Sequence, residues 1–443
     1  MSEAINPWLG IAGVMAVLGV LQGGVTGFGI KHGVPFEMMR KIVHIVMGLV
    51  CAAFPWVFSK VWPVMLLGVV ASLWLLITKT VPSLRAKLGQ AVNSIERDSY
   101  GDVLFCAGVA VLWWLAFGNA LLYVIPVLVL TFADALAALV GVNYGKNCYE
   151  AVEGKKSFEG SSVFFLMAFL CVYLSLALYA DVGIVELLLI STIIALVTML
   201  LEAIAWRGLD NVLIPLGCFL LLQTYMTASV ETLVQDLIAV LAITAFAVTW
   251  RQRTTQSLTG VLAAALSGFA IWALGGWRWL VPALIMFVGY NVVYGRTTRE
   301  IWRGAPIYGV LGSTSVSLAW VFLTTHWQRP DFYLPYTLAF AAHFACIGVA
   351  RLNVKLCHRL NFTLEFAKRI LAAWLVFFLP FVAIQRFSAQ VWAEVGIGLF
   401  GIIAATVIFY PIMRANDRHY NSERRWIIQS IIVGGASLFG LVV

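Results

Sequence analysis

The sequence predicts an all-α, polytopic integral membrane protein, a helical bundle of about sixteen transmembrane helices, and three observations carry that prediction. Of 443 residues, 62% are hydrophobic and only 11% charged, where soluble domains hold roughly 45–50% and 25%; a soluble globular enzyme is excluded. Apolar runs of roughly 20 residues, the length that crosses a hydrocarbon core, recur from one end of the chain to the other. The loops between them are unequal in charge, and that inequality fixes a topology.

In chain order the predicted spans are about 8–30, 42–59, 61–78, 103–118, 120–142, 162–180, 184–206, 211–228, 231–250, 257–275, 279–295, 307–325, 333–350, 370–385, 390–413 and 426–443. The first follows a segment without the basic residues of a cleavable signal and is long enough to span, so it reads as a helix that stays attached. If every run crosses once, 25 of the 29 basic residues fall on one side, leaving only Lys60, Arg278, Arg329 and Arg386 on the other. The positive-inside rule makes the richer side cytoplasmic and turns both termini away from it. The net charge of +8 arises in the second half, where residues 230–443 hold 17 basic and 8 acidic residues against 12 and 13 before them. Anchoring to anionic headgroups accounts for that excess. No nucleic-acid partner is expected, because the charges sit in short loops between spans rather than on one soluble face. Two domains are predicted, 1–228 and 229–443. The seven cysteines form no C-x-x-C pair, so neither a disulfide framework nor a zinc site is expected.

A carboxylate inside a span is costly and therefore a functional candidate. Asp134 lies in the fifth span, about two turns from its cytoplasmic end, and Glu202 near the cytoplasmic end of the seventh; neither has a basic partner in its own helix. Glu202 can also be read as snorkelling to the interface beside Arg207, and Asp134 as one member of a structural pair. Asp134, Ala137 or Ala138, and Gly141 share a face of small residues, open to a bulky ligand or to a neighbouring helix. The loop that follows carries Gly145, Lys146, Gly154, Lys155, Lys156, Ser157, Glu159, Gly160 and Ser161. Glycines let backbone N–H groups close around phosphate oxygens while lysines add charge; lysines at a membrane surface are the plainer reading. A Walker A pattern is absent. Ser157 and Ser161 suit helix N-caps, and a helix N-terminus favours anions. Asp210 and Asn211 stand at the mouth of the eighth span, where Asp210 can also be read as a cap. Arg40 and Lys41 edge the second span, with His44 four residues beyond Arg40 on its face, and these are candidate phosphate contacts. Carboxylates beside phosphates suit Mg²⁺, and phosphoryl transfer asks mainly for positioning and charge neutralisation. The residues themselves predict a membrane-embedded enzyme acting on phosphates at the cytoplasmic interface.

Taken in order, Arg40-Lys41-Ile42-Val43-His44, the segment Asp134 to Lys146, Lys156-Ser157-Phe158-Glu159-Gly160-Ser161 and Asp210-Asn211-Val212-Leu213-Ile214-Pro215, with Ser99-Tyr100-Gly101-Asp102 opening the fourth span, resemble the polyprenol kinase family. That family comprises dolichol, phytol and farnesol kinases and is distantly related to phosphatidate cytidylyltransferases. The likeness covers about residues 35–225. It implies transfer of a phosphoryl group, typically from CTP, to the terminal hydroxyl of an isoprenoid alcohol such as phytol, farnesol or a polyprenol. By position it implies that Asp134 and Asp210 hold Mg²⁺ with the nucleotide phosphates and that Glu202 joins them as a catalytic carboxylate. Arg40, Lys41, His44, Gly141, Gly145, Lys146, Lys155, Lys156, Ser157, Glu159, Gly160, Ser161 and Asn211 then form the nucleotide and phosphate contacts. Ser157-Phe158 stands where the family more often shows Thr-Leu or Thr-Val.

The cytidylyltransferase signature of Lys-Arg, Lys-Asp and His-Gly-Gly runs before Asp-Arg-x-Asp is missing, which places synthesis of a CDP-lipid second. An ion-coupled transporter is a third reading; it suits sixteen spans but not intramembrane acids gathered in the first half. In the second half, residues 257–265 with Gly275-Gly276-Trp277 faintly resemble an uncharacterised membrane family that includes phytyl-phosphate kinase-like proteins, without the Asp-rich motif expected there. That half shapes an isoprenoid groove, docks a partner or is an inactive relic.

Overall fold

The computed structural model describes residues 6–81, 100–151, 154–250, 256–298, 307–355, 362–386, 388–415 and 422–442. Ser99 lies outside this set, as do Arg85, Lys87, Arg97 and several other loop cations of the charge count. Each of the sixteen predicted runs coincides with a helix, and the protein is an all-α, polytopic membrane bundle. Among the described residues, twelve helices are long and apolar enough to cross a membrane. Four predicted runs fall short of that measure, at Gly101–Leu115, Asp210–Tyr225, Trp277–Thr298 and Glu423–Ser437. A helix of 15 residues is about 22 Å long, less than the ~30 Å hydrocarbon core.

The chain divides into two compact units, Met1–Ile238 and Ala239–Val443, with the division inside the helix Val230–Trp250. The first unit begins with α1 (Pro7–Lys31), α2 (Phe36–Ala52), the single turn α3 (Phe54–Val57), α4 (Trp62–Thr80) and α5 (Gly101–Leu115). The fifth predicted span is then broken. α6 (Ala120–Leu128) carries Pro126, a π-helical stretch occupies Val129–Ala133, and α7 (Asp134–Tyr144) continues it. Proline removes one helix donor, and a widened turn is the kind of defect that recurs at functional sites in helices. Here it falls immediately before Asp134.

This broken span is the hub of the unit, touching α2, α8 (Phe158–Tyr179) and α10 (Asp210–Tyr225). Its Ile125, Val127, Leu130 and Ala133 are fully buried. Gly48 of α2 lies so close to Thr131 that a β-carbon there would overlap the threonine side chain. Between α7 and α8 the chain forms a small antiparallel hairpin, β1 (Cys148–Glu150) and β2 (Lys155–Ser157), with Tyr149 opposite Lys156. Gly154 turns it at φ 75°, a conformation that favours glycine. α9 (Ile184–Ile204) and α10 complete the wall, and α11 (Val230–Trp250) follows.

Helix ends that the charge count puts on one side do meet. Lys79 reaches Asp102 at 3.3 Å and the Tyr100 amide donates to the Arg207 carbonyl. At the opposite ends, Tyr123 donates to the Cys51 carbonyl and the rings of Trp8 and Trp62 lie 5.1 Å apart.

The second unit comprises α12 (Leu258–Gly275), α13 (Trp277–Thr298), α14 (Ile307–Trp327), α15 (Tyr333–Lys355), α16 (Phe362–Gln385), α17 (Ala389–Ala415) and α18 (Glu423–Ser437). α15 is its axis, buried along its whole apolar window and flanked by α13, α14, α16, α17 and α18. Small residues such as Ala339, Ala342, Ala345 and Cys346 let the neighbours approach. Fully buried His343 of α15 meets Gln429 of α18 through Nδ1 at 3.0 Å, and Arg425 donates to the Gln429 side-chain oxygen Oε1. Intramembrane acids are not confined to the first half of the chain, as the sequence reading had them. Asp236 is buried in α11, accepting a hydrogen bond from Tyr225, and Glu394 lies in α17. A single carboxylate hardly lowers the hydropathy of an apolar run, so both pass unnoticed in a search for spans.

Candidate active site

Lys41, His44 and Gly48 are spaced three and seven residues apart, one face of α2, and that face turns toward the wide turn of the fifth span. The Lys41 ammonium donates to Asp134 Oδ2 at 2.7 Å, with the two side chains only 4% and 13% exposed. His44 Nε2 stands 3.7 Å from the same oxygen and 3.3 Å from the Leu130 carbonyl within the π-helical stretch. As a donor to that carbonyl, Nε2 carries the proton. Arg40, one turn before His44, is exposed, yet its charge acts on both His44 and Asp134; the direct contact with Asp134 comes from Lys41. Asp134 thus has its partner on another helix.

A second pair forms at the hairpin. Lys156 of β2 donates to Glu202 Oε1 at 2.8 Å and also to the Glu202 carbonyl, near the end of α9. Burial alone would pull the Lys156 pKa down, but the charge and hydrogen bond of Glu202, helped by Asp210 and Tyr149, more than offset it. Lys156 is therefore raised above the ordinary lysine value and stays cationic. Glu202 engages this lysine rather than snorkelling beside Arg207.

Asp210 opens α10 as its first helical residue, with Leu209 in the cap position, so it does not cap the helix. Its carboxylate feels the charges of Asp134, Lys156, Lys41 and Glu202, the members of both pairs. Asn211 Nδ2 donates to Asp210 Oδ1 at 3.3 Å. Among the described residues no lysine or arginine lies within ion-pair distance of Asp210.

Other predicted contacts take structural roles. Gly141, Gly145 and Gly160 bring α7, the hairpin and α8 into close contact. A β-carbon on Gly145 would strike the Gly141 carbonyl and Ser157, and one on Gly160 would sit 2.9 Å from the Ala137 carbonyl. The small face below Asp134 therefore seats a helix. Ser157 caps α8 by accepting from the Gly160 amide at 3.1 Å. Ser161 does not cap; it shares a 2.9 Å hydrogen bond with Tyr149. Glu159 accepts from the backbone and side-chain nitrogens of Asn147 at 3.2 Å, fastening the loop to α8. Lys146 and Lys155 are exposed. Tyr149 escaped the sequence reading, since an aromatic in a loop carries no signal until the hairpin places it across from Lys156.

Chemically, two cations and three carboxylates from four helices and a hairpin form a partly buried, electrostatically linked group. Asp134 and Asp210 act on each other as like charges, a pairing that a divalent cation relieves. Among the described residues no three His, Cys, Asp or Glu side chains form a ready metal cage. Mg²⁺ is commonly held by one or two carboxylates plus substrate phosphates, so this donor set fits it.

The chain is similar to a phytol kinase of Synechocystis sp. (strain ATCC 27184 / PCC 6803 / Kazusa). The two are 30% identical over 189 residues, 42% of this chain and 78% of the relative. No family model and no solved structure matches the chain.

Proposed function

The chain belongs to the polyprenol and phytol kinase-like family, and from that premise we propose that it transfers the γ-phosphoryl group of a nucleoside triphosphate to the hydroxyl of a membrane isoprenoid alcohol. CTP is the donor that its motifs suggest, and phytol, farnesol or a polyprenol the acceptor. The observation that carries the reading is two ion pairs made between separate elements, Lys41–Asp134 and Lys156–Glu202, whose charges both act on Asp210. Phosphoryl transfer needs positioning of the reactants and charge neutralisation on the phosphate oxygens; this cluster offers cations and carboxylates suited to the second.

Asp134 and Asp210 would hold Mg²⁺, which supplies charge neutralisation on the transferring group. Lys156 is kept protonated and faces the nucleotide phosphates, with Glu202 as the residue that orients it. Lys41 fixes the Asp134 carboxylate, and His44 braces the turn from which that carboxylate projects. Asp210, with no lysine within ion-pair distance among the described residues, takes the hydroxyl proton as the oxygen–phosphorus bond forms and the bond to the departing nucleoside diphosphate breaks. The cluster lies at the end of the unit that the charge count assigns to the cytoplasm, where nucleotide is available.

Incubation of the purified protein with isoprenoid alcohols of several lengths and γ-labelled CTP or ATP tests the reading. Label is expected in the lipid, with nucleoside diphosphate released. Release of pyrophosphate with cytidylate in the lipid would identify a cytidylyltransferase instead, and ion-dependent solute uptake without either product a transporter.

A further inference from the structure

The hairpin between α7 and α8 ends in an aromatic ring that the phosphoryl-transfer cluster does not use. Between Gly154 and Ser162, Phe158 is the one apolar side chain, set among lysines, serines, glycines and a glutamate. It opens α8 and is 57% exposed. Its backbone is pinned: the amide donates to the Asn147 carbonyl and the carbonyl accepts from the Ser162 hydroxyl, both at 2.9 Å. Its ring lies against Tyr149, with centres 5.2 Å apart, and the Tyr149 hydroxyl is tied to Ser161 at 2.9 Å. The exposed ring is therefore held from two sides.

Two observations indicate what covers it. The first is position. Tyr149 stands opposite Lys156 in the hairpin and feels the charges of Lys156 and Glu202. Phe158 follows Lys156 by two residues, about 7 Å along an extended strand. The aromatic pair thus adjoins the lysine that faces the nucleotide phosphates in the proposed site. The second is the polarity around the ring. One turn on, the residues on its side of the helix are Ser161 and Ser162, so Phe158 does not continue a lipid-facing apolar stripe of α8. Lys146 and Lys155 of the same loop are exposed. An aromatic face beside cations suits a nucleobase joined to phosphates, since every base offers a π-face for stacking.

We propose that the Phe158 ring stacks on the nucleobase of the donor nucleotide while Lys156 meets its phosphates. The inference rests on the kinase reading for the nucleotide and adds the residue that holds its base. Stacking is tolerant of base identity, so Phe158 grips the base without selecting it, and CTP and ATP gain from the ring alike.

The test is equilibrium binding of CTP, ATP and inorganic tripolyphosphate, each with Mg²⁺, to the full-length protein in detergent. The wild-type chain should bind both nucleotides more tightly than tripolyphosphate, which carries the charge but no base. Phe158→Leu, which removes the ring and keeps an apolar side chain, should weaken CTP and ATP about tenfold each and leave tripolyphosphate within about twofold. Phe158→Trp should retain the nucleotide affinity. The proposal is overturned by unchanged nucleotide affinity in Phe158→Leu, as for a ring that only anchors the helix in headgroups. A loss shared equally by tripolyphosphate, or one confined to a single base, also overturns it. Transfer of labelled phosphate to an isoprenoid alcohol judges the kinase reading separately. Transfer together with unmoved Phe158→Leu affinities would sink the stacking alone; base-dependent binding weakened in Phe158→Leu, without transfer, would sink the kinase chemistry alone.

Discussion

Replacing Asp134 by asparagine separates a catalytic carboxylate from a structural one. At 2.7 Å and an effective dielectric of about 20, the Lys41–Asp134 pair attracts by about 6 kcal/mol before desolvation is counted. Removing one member of such a buried pair costs about 3–5 kcal/mol, because the other charge is left uncompensated. Asp134→Asn should therefore lower stability by that order and abolish phosphoryl transfer. Replacing both partners with apolar residues of similar size is often close to neutral. Lys41→Met combined with Asp134→Leu should accordingly recover most of the lost stability while transfer stays absent. The assay is labelled-phosphate transfer to an isoprenoid alcohol alongside thermal unfolding in detergent. Turnover in Asp134→Asn, or its return in the stabilised double variant, would refute the role given to Asp134.

The remaining predictions concern the same cluster. Lys156→Met should reduce transfer roughly 100-fold or more, the scale of losing one preorganised charge at a developing anion, measured as kcat at saturating nucleotide. The raised Lys156 pKa also sets a pH dependence. Stability from its pair with Glu202 is fully present below the unfolded lysine pKa of about 10.4 and is lost as pH rises through the higher folded value. Alkaline unfolding of Lys156→Met should lack that step. Gly48→Val should force α2 away from Thr131 at a cost of about 1–3 kcal/mol and depress transfer by parting Lys41 from Asp134; adding Thr131→Ala should restore part of both. Ser157→Ala should cost about 1 kcal/mol through the lost α8 cap, read by thermal unfolding.

The helices were legible because apolar length is a one-dimensional property, and Asp134 was legible because a carboxylate stands out against it. Its partner was not. Lys41 is 93 residues away, and only the packing of α2 against the fifth span brings them together. The wide turn at Val129–Ala133 leaves no mark in a segment as uniformly apolar as its neighbours. In sequence Gly145 and Gly160 suit a phosphate-binding loop and Gly141 a small helical face; glycine serves both backbone donors and close packing, and the close packing at all three is visible only in three dimensions. The same holds for Glu159, whose acidic charge in a basic loop made sense only once Asn147 was found beneath it. The charge count puts Asp210 at the level of Lys156 and Glu202, but the influence of both lysine–carboxylate pairs on it depends on how α10 packs against the hub.

In the proposed site Asp134, paired with Lys41 of another helix, and Asp210 jointly grip a metal-bound nucleotide. Paramagnetic resonance of Mn²⁺ substituted for Mg²⁺, recorded on the full-length protein with a non-hydrolysable nucleoside triphosphate, tests it most directly. A protein-bound Mn²⁺–nucleotide signal is expected, eliminated by Asp134→Asn and by Asp210→Asn. A bound signal of undiminished intensity in both variants would contradict it.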